Sequence, residues 1–154
     1  MECLIDLDEI ELKVKSNPRY LAVIRALAVC AAEQVGFDSQ NVEDLKLAID
    51  EACSNVIRHA YKGETDKDIR VKFISRDGWF HVIVEDSGVK ATPGCLRERS
   101  LDELCVGGLG LHFMKKAFQV IKFDDTNTTG NRLILSRKLK DQGQCTDNTG
   151  NGDE

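Results

Sequence analysis

The chain has 154 residues, 42% hydrophobic and 31% charged, with 21 Lys and Arg against 26 Asp and Glu for a formal net charge of −5. That length suits one domain with a real core, and the acidic balance supplies no basic footprint for nucleic acid or an anionic membrane. No apolar run approaches the roughly 20 residues that span a bilayer, and Met1-Glu2-Cys3-Leu4-Ile5-Asp6 lacks the pattern of a signal peptide, so the expected compartment is the cytoplasm.

Residues 4–15 alternate, with Ile5, Leu7, Ile10, Leu12 and Val14 against charged neighbours, and suit a strand with one wet face or a pair of short ones. Ser16-Asn17-Pro18 reads as a helix start, with Asn17 as N-cap and Pro18 at the first helical position. A packing helix then runs to Val35, with Leu21, Ile24, Leu27, Ala28, Ala31 and Val35 in helical period, and stops at Gly36. Ser39 or Asn41 caps a second helix that is expected to reach Tyr61. Its buried face is Leu45, Ile49, Cys53 and Val56, with Ala48, Ala52 and Ala60 allowing close packing.

Two strands follow around Ile69–Phe73 and Trp79–Val84, joined by Arg76-Asp77-Gly78, a strong hairpin signal. Residues 89–106 lack a clear pattern and read as a functional loop. Gly107-Gly108-Leu109-Gly110 opens a third helix, Leu111 to about Val120. Phe123-Asp124 and Leu133 to Leu139 form a further hairpin with Asn127-Thr128-Thr129-Gly130-Asn131 as its turn. This order predicts one α+β domain over residues 1–140, a two-layer sandwich of a mainly antiparallel sheet with helices on one face. Residues 141–154 are polar and are expected to be a disordered tail. The six cysteines show no C-x-x-C pair, so reduced thiols are expected, with Cys30 and Cys53 as small core residues.

Three short stretches carry possible chemistry. Glu51, Asn55 and His59 recur every four residues and share one helix stripe, which alone fits a solvated face as well as a site. Phosphoryl transfer needs a group that orients or deprotonates a hydroxyl, together with hard oxygen ligands for Mg²⁺. Asp86-Ser87-Gly88 ends the second hairpin strand, where a carboxylate can accept a hydrogen bond from adenine's exocyclic amine. The 107–110 glycines let main-chain amides face phosphate at a helix N-terminus, although no Walker or Rossmann pattern is present.

In this order the stretches resemble the nucleotide-binding boxes of the gyrase/Hsp90/histidine-kinase/MutL (GHKL) ATPase superfamily, and within it the anti-sigma-factor serine/threonine kinases. The resemblance covers roughly residues 8–140. It implies the Bergerat ATP-binding fold, with ATP and Mg²⁺ as cofactors. It also implies Glu51 as the catalytic base and Asn55 as the Mg²⁺ ligand. His59, Asp86, Gly88, Gly107, Gly108, Leu109, Gly110 and Thr129 would join Asn55 around the nucleotide. A helix-end imidazole bonded to backbone remains the alternative for His59.

Two positions depart from the family pattern: Lys90 replaces the second glycine of D-x-G-x-G, and Val106 stands where some members have a basic residue. Arg97, Arg99 or Lys115 is then the candidate for phosphate contact. The implied partners are a sigma factor and a small STAS-type anti-sigma factor antagonist, phosphorylated on Ser or Thr, with a homodimer expected and no direct contact with nucleic acid or membrane. The alternatives are a nucleotide-dependent binding module without significant kinase activity and a detached histidine-kinase module. The chain lacks the upstream phosphoacceptor helix of the latter.

Overall fold

The sheet is built around a tight turn at Asp77-Gly78, where both residues have positive φ, 53° and 78°. That is the handedness of the type I′ turns that match strand twist. The turn joins β2 (Asp68–Arg76) to β3 (Trp79–Asp86) in antiparallel register from Arg76↔Trp79 to Ile69↔Asp86. The computed structural model describes residues 7–91, 108–124, 126 and 128–140. Most of the expected loop 89–106 and all of the tail 141–154 therefore lie outside the described residues.

β1 (Ile10–Lys15) pairs with one edge of this hairpin and β5 (Asn131–Lys138) with the other. β4 (Val120–Phe123) closes the far side, giving the order β1-β2-β3-β5-β4 with every neighbouring pair antiparallel. The first strand is shorter than its alternating pattern. Leu7 to Glu9 lie outside it, although the Leu7 carbonyl still accepts from Ser75 N at 2.9 Å.

Alternation directs Ile69, Val71 and Phe73, Phe80, Val82 and Val84, and Leu133 and Leu135 to one face, and all are buried. The helices cover that face. α1 (Leu21–Gln34) contributes Ile24, Ala28 and Ala31, α2 (Ser39–Asn55) contributes Leu45, Ile49 and Cys53, and α3 (Gly108–Ala117) contributes Met114 and Ala117. Phe80 is the hinge of the packing, stacked on Phe73 at 6.3 Å and edge-on to Phe37 at 5.6 Å. The result is the expected two-layer α+β sandwich.

Local chemistry sets the helix ends. Asn17 Oδ1 accepts from Arg19 N at 3.1 Å and starts a 3₁₀ turn, Pro18–Tyr20, that leads into α1. α2 is capped by Asp38, one residue ahead of the expected Ser39 or Asn41. Asp38 has the extended ψ of 164° that a cap needs, and its carboxylate accepts from Asn41 N at 2.9 Å. α3 stops at Ala117, short of the expected Val120, because Gln119 N turns to the Ser136 carbonyl at 3.0 Å and the chain joins the sheet. Cys30 is exposed, contrary to expectation, because it lies two residues from both Ala28 and Ala32 and so on the opposite side of α1. Cys53 is fully buried, and burial with the nearby Asp50 charge pushes its thiol up to about 12.

Candidate functional site

Because α2 buries Leu45, Ala48, Ile49, Ala52 and Cys53, its opposite edge carries Glu51 and Asn55, both only half-buried. The helix does not continue as an α-helix to Tyr61. From Val56 to Ala60 it widens into a π turn, closed by Tyr61 N on the Val56 carbonyl at 2.9 Å. Such turns are frequent at functional sites.

His59, in this turn, is exposed and makes no side-chain hydrogen bond among the described residues. Arg58 instead closes on the stripe. Its Nη2 donates to Glu51 Oε1 at 2.9 Å and to Asn55 Oδ1 at 3.0 Å. The sequence reading did not single out Arg58, although residues 51, 55 and 58 stand at i, i+4 and i+7, a spacing that marks one helix face.

The end of β3 supplies Asp86. Its Oδ1 accepts from Gly88 N at 2.8 Å and from Asn131 Nδ2 at 2.9 Å. Burial raises the carboxyl above its ordinary value, and these two donors and the Asn131 backbone amide pull the other way without cancelling that cost. Asn131, at the start of β5, holds the whole turn: Nδ2 also donates to the Val89 carbonyl at 2.9 Å, and Oδ1 accepts from Ala91 N at 2.7 Å. Thr129, the predicted nucleotide contact in this segment, is exposed in the bend two residues earlier. Asn131 was legible only as part of the closing turn.

The Asp86 turn is fastened to the end of α2. Val89 N donates to the Ala60 carbonyl at 2.9 Å, and a Cβ at Gly88 would collide with that same carbonyl. Tyr61, the first residue past the π turn, is buried, and its hydroxyl accepts from Ser87 N at 2.9 Å while donating to the Asp68 carbonyl.

The third stretch arrives from the other side. α3 begins at Gly108, and Gly107 lies outside the described residues, as do Arg97, Arg99 and Val106. Gly110 is buried in the first turn of α3, where a Cβ would run into the Glu51 side chain. Lys116 at 3.0 Å from Asp44 ties the two helices further along. Lys115 is exposed on α3, bordering a groove with Leu111, Phe118, Gln119 and Ile121.

The three stretches thus converge: Glu51 touches the first turn of α3, and the Asp86 turn is bonded to the end of α2. Glu51 and Asn55 offer hard oxygens already gathered around one cationic group, the donor chemistry that Mg²⁺ takes when phosphates and water complete its shell. The first turn of α3, packed on Glu51 through Gly110, adds the positive end of a helix dipole on that side. Residues of this kind fit a magnesium nucleotide. Among the described residues no group of three or more His, Cys, Asp or Glu stands ready to hold a metal alone.

Comparison with known proteins gives the family and supports the fold. Residues 14–137 match the family described as the histidine kinase-like ATPase domain. A serine-protein kinase RsbW of Bacillus licheniformis is 30% identical over 151 residues, covering 92% of this chain and 94% of the relative. The protein of that name from Bacillus pumilus is 34% identical over 118 residues, covering 70% and 73%. A solved structure of the RsbU and RsbW domains of a Mycobacterium tuberculosis protein superposes with a TM-score of 0.62 at 17% identity. It covers 86% of this chain, which spans 32% of that longer one, and the likeness is one of fold.

Proposed function

Given that the chain belongs to the histidine kinase-like ATPase family, and within it to the anti-sigma-factor serine/threonine kinases, we propose that it regulates a sigma factor by partner switching. It is a protein serine/threonine kinase. In the proposed cycle it sequesters the sigma factor until an unphosphorylated antagonist competes for it. Phosphorylation of that antagonist on Ser or Thr then ends the competition.

Magnesium ATP, when bound, supplies the phosphoryl group and the charge neutralisation for its transfer. Asp86 accepts the adenine amine and thereby selects adenine over guanine. Asn55 offers its amide oxygen to Mg²⁺, and the amides around 107–110 receive phosphate. Glu51 takes the proton of the acceptor hydroxyl as that oxygen bonds to phosphorus and ADP departs. The observation that carries this reading is the close packing of Gly110 on Glu51, which sets the first turn of α3 against the carboxylate one helical turn from Asn55.

A homodimer through the uncovered face of the sheet belongs to the same proposal. That face carries the half-buried Ile74 and Ile134 around the buried Ile83, with charged rims such as Lys72 with Glu9 and Glu11. A cytoplasmic setting also belongs to it; no helix among the described residues is long and apolar enough to cross a membrane.

The test is Glu51→Gln, incubated with labelled ATP and a candidate antagonist. ATP affinity by calorimetry should persist while label transfer to Ser or Thr falls by roughly 10²–10⁴. Unchanged transfer removes Glu51 from the mechanism. Absence of any heat of ATP binding in magnesium removes the site.

A further inference from the structure

We propose, on the nucleotide-site reading above, that Arg58 is the resident cation of the metal position and that Mg²⁺ must displace it from Asn55. A single nitrogen, Nη2, donates to Glu51 Oε1 at 2.9 Å and to Asn55 Oδ1 at 3.0 Å. A guanidinium NH₂ carries two hydrogens, so both bonds form at once and the two oxygens share one cation. Those are the two groups assigned to proton removal and metal binding. Asn55 Oδ1 is aimed at the guanidinium here, and a divalent ion taking that oxygen would stand within a few ångströms of a like charge. The arrangement is bistable: either Arg58 or the metal holds the amide.

Three features make the exchange feasible. The Arg58 side chain is 54% exposed while Glu51 is 24% exposed, so the arginine can swing into water and the carboxylate stays in place. An ion pair that wet is weak, and a hydrated divalent ion with nucleotide phosphates can overcome it. Arg58 also sits in the π turn, beyond the regular part of α2, where its movement leaves the packed face of Leu45, Ile49 and Cys53 undisturbed.

Two consequences follow for the reaction. Before the metal arrives, Arg58 is a positioning residue that bridges Glu51 and Asn55. Once the metal takes Asn55, the Glu51 carboxylate loses its ion-pair partner and is free to accept a proton. The base is thereby released only in the loaded site.

The experiment is calorimetry of ATP binding to the full chain, with saturating Mg²⁺ and with EDTA, for wild type, Arg58→Gln and Arg58→Lys. The quantity read is the ratio of the two dissociation constants, EDTA over Mg²⁺. Removing the competing cation strengthens the metal's contribution, and losing its charge weakens metal-free ATP binding. In Arg58→Gln the ratio should therefore rise about 1.5- to fivefold, the scale of an exposed ion pair. Arg58→Lys, which keeps a cation, should stay near the wild-type ratio.

A purely structural role would move both constants together and leave the ratio fixed. An unchanged ratio in Arg58→Gln, or a ratio in Arg58→Lys as high as in Arg58→Gln, overturns the proposal. Wild type that binds ATP with an unmoved mutant ratio refutes the role of Arg58 alone. Wild type that binds no ATP in Mg²⁺ refutes the nucleotide-site reading and this inference with it.

Discussion

Replacing Asn131 with alanine strips the Asp86 turn of three hydrogen bonds at once. Asn131 is only 9% exposed, and its amide reaches Asp86 Oδ1 at 2.9 Å, the Val89 carbonyl at 2.9 Å and Ala91 N at 2.7 Å. A hydrogen bond to a charged group contributes about 1.5–3 kcal/mol and a neutral one about 0.5–1.5. Ala91 is exposed, so water replaces its lost partner, whereas the half-buried carboxylate loses its side-chain donor and keeps only the backbone amides of Gly88 and residue 131. The expected loss is therefore ~2–4 kcal/mol of stability. The single tryptophan, Trp79, lies on β3 next to this strand and reports urea unfolding directly. Calorimetry should also show ATP binding about tenfold weaker, ~1.4 kcal/mol, because the adenine acceptor is no longer held. Thr129→Ala is the companion variant. Exposed as it is, it should leave stability within ~0.5 kcal/mol, and any fall in ATP affinity there reports direct contact. An Asn131→Ala protein with wild-type unfolding midpoint and ATP affinity would refute the idea that this amide organises the turn.

Gly110→Ala forces a methyl into the Glu51 side chain, so α3 or Glu51 must shift. Overpacking of this kind costs about 1–3 kcal/mol, and label transfer to the antagonist should fall well before folding fails, measured by denaturation and transfer on the same sample. The pH dependence follows from Asp86. Its carboxyl is raised above 3.8 in the fold, so the folded state holds the proton more tightly; this group's contribution to stability is greatest below 3.8 and declines as pH rises through the raised value. ATP affinity runs the opposite way, since the ionised carboxylate accepts the amine, and it should weaken as pH falls through the same window. Asp86→Asn should flatten both profiles, and a variant whose profiles superpose on wild type would contradict the assignment.

Periodicity carried most of the fold. The stripes on α1 and α2 and the Asp-Gly hairpin were readable because burial and turn chemistry leave local patterns. Asp38 escaped as the α2 cap because Ser39 and Asn41 are equally good cap residues, and only backbone geometry at 164° separates them. The end of α3 escaped because Phe118 is apolar and buried whether it closes a helix or leads into a strand. Cys30 escaped because chemical type outweighed phase: a small sulfur residue two places off the buried stripe faces water regardless of its hydrophobicity.

Candidate residues could be picked from the sequence, but the bonds between them could not. Asn131 and Arg58 look ordinary in the chain, one in a turn and one among helix charges, and their partners are fixed only when β5 meets β3 and when α2 widens at Val56. The glycines illustrate the converse. Gly88 and Gly110 read as phosphate or ring contacts, yet the packing demands them anyway, against the Ala60 carbonyl and the Glu51 side chain. Two independent demands on one position explain why a glycine pattern alone is a weak signal and its placement a strong one. The same holds for charge. A net −5 suggests a surface that repels nucleotides, but the Arg58 guanidinium bonds Glu51 and Asn55 and the first turn of α3 packs on Glu51. Local field decides what a cleft attracts, and here an arginine and the positive end of a helix both meet Glu51 despite the net negative charge of the chain.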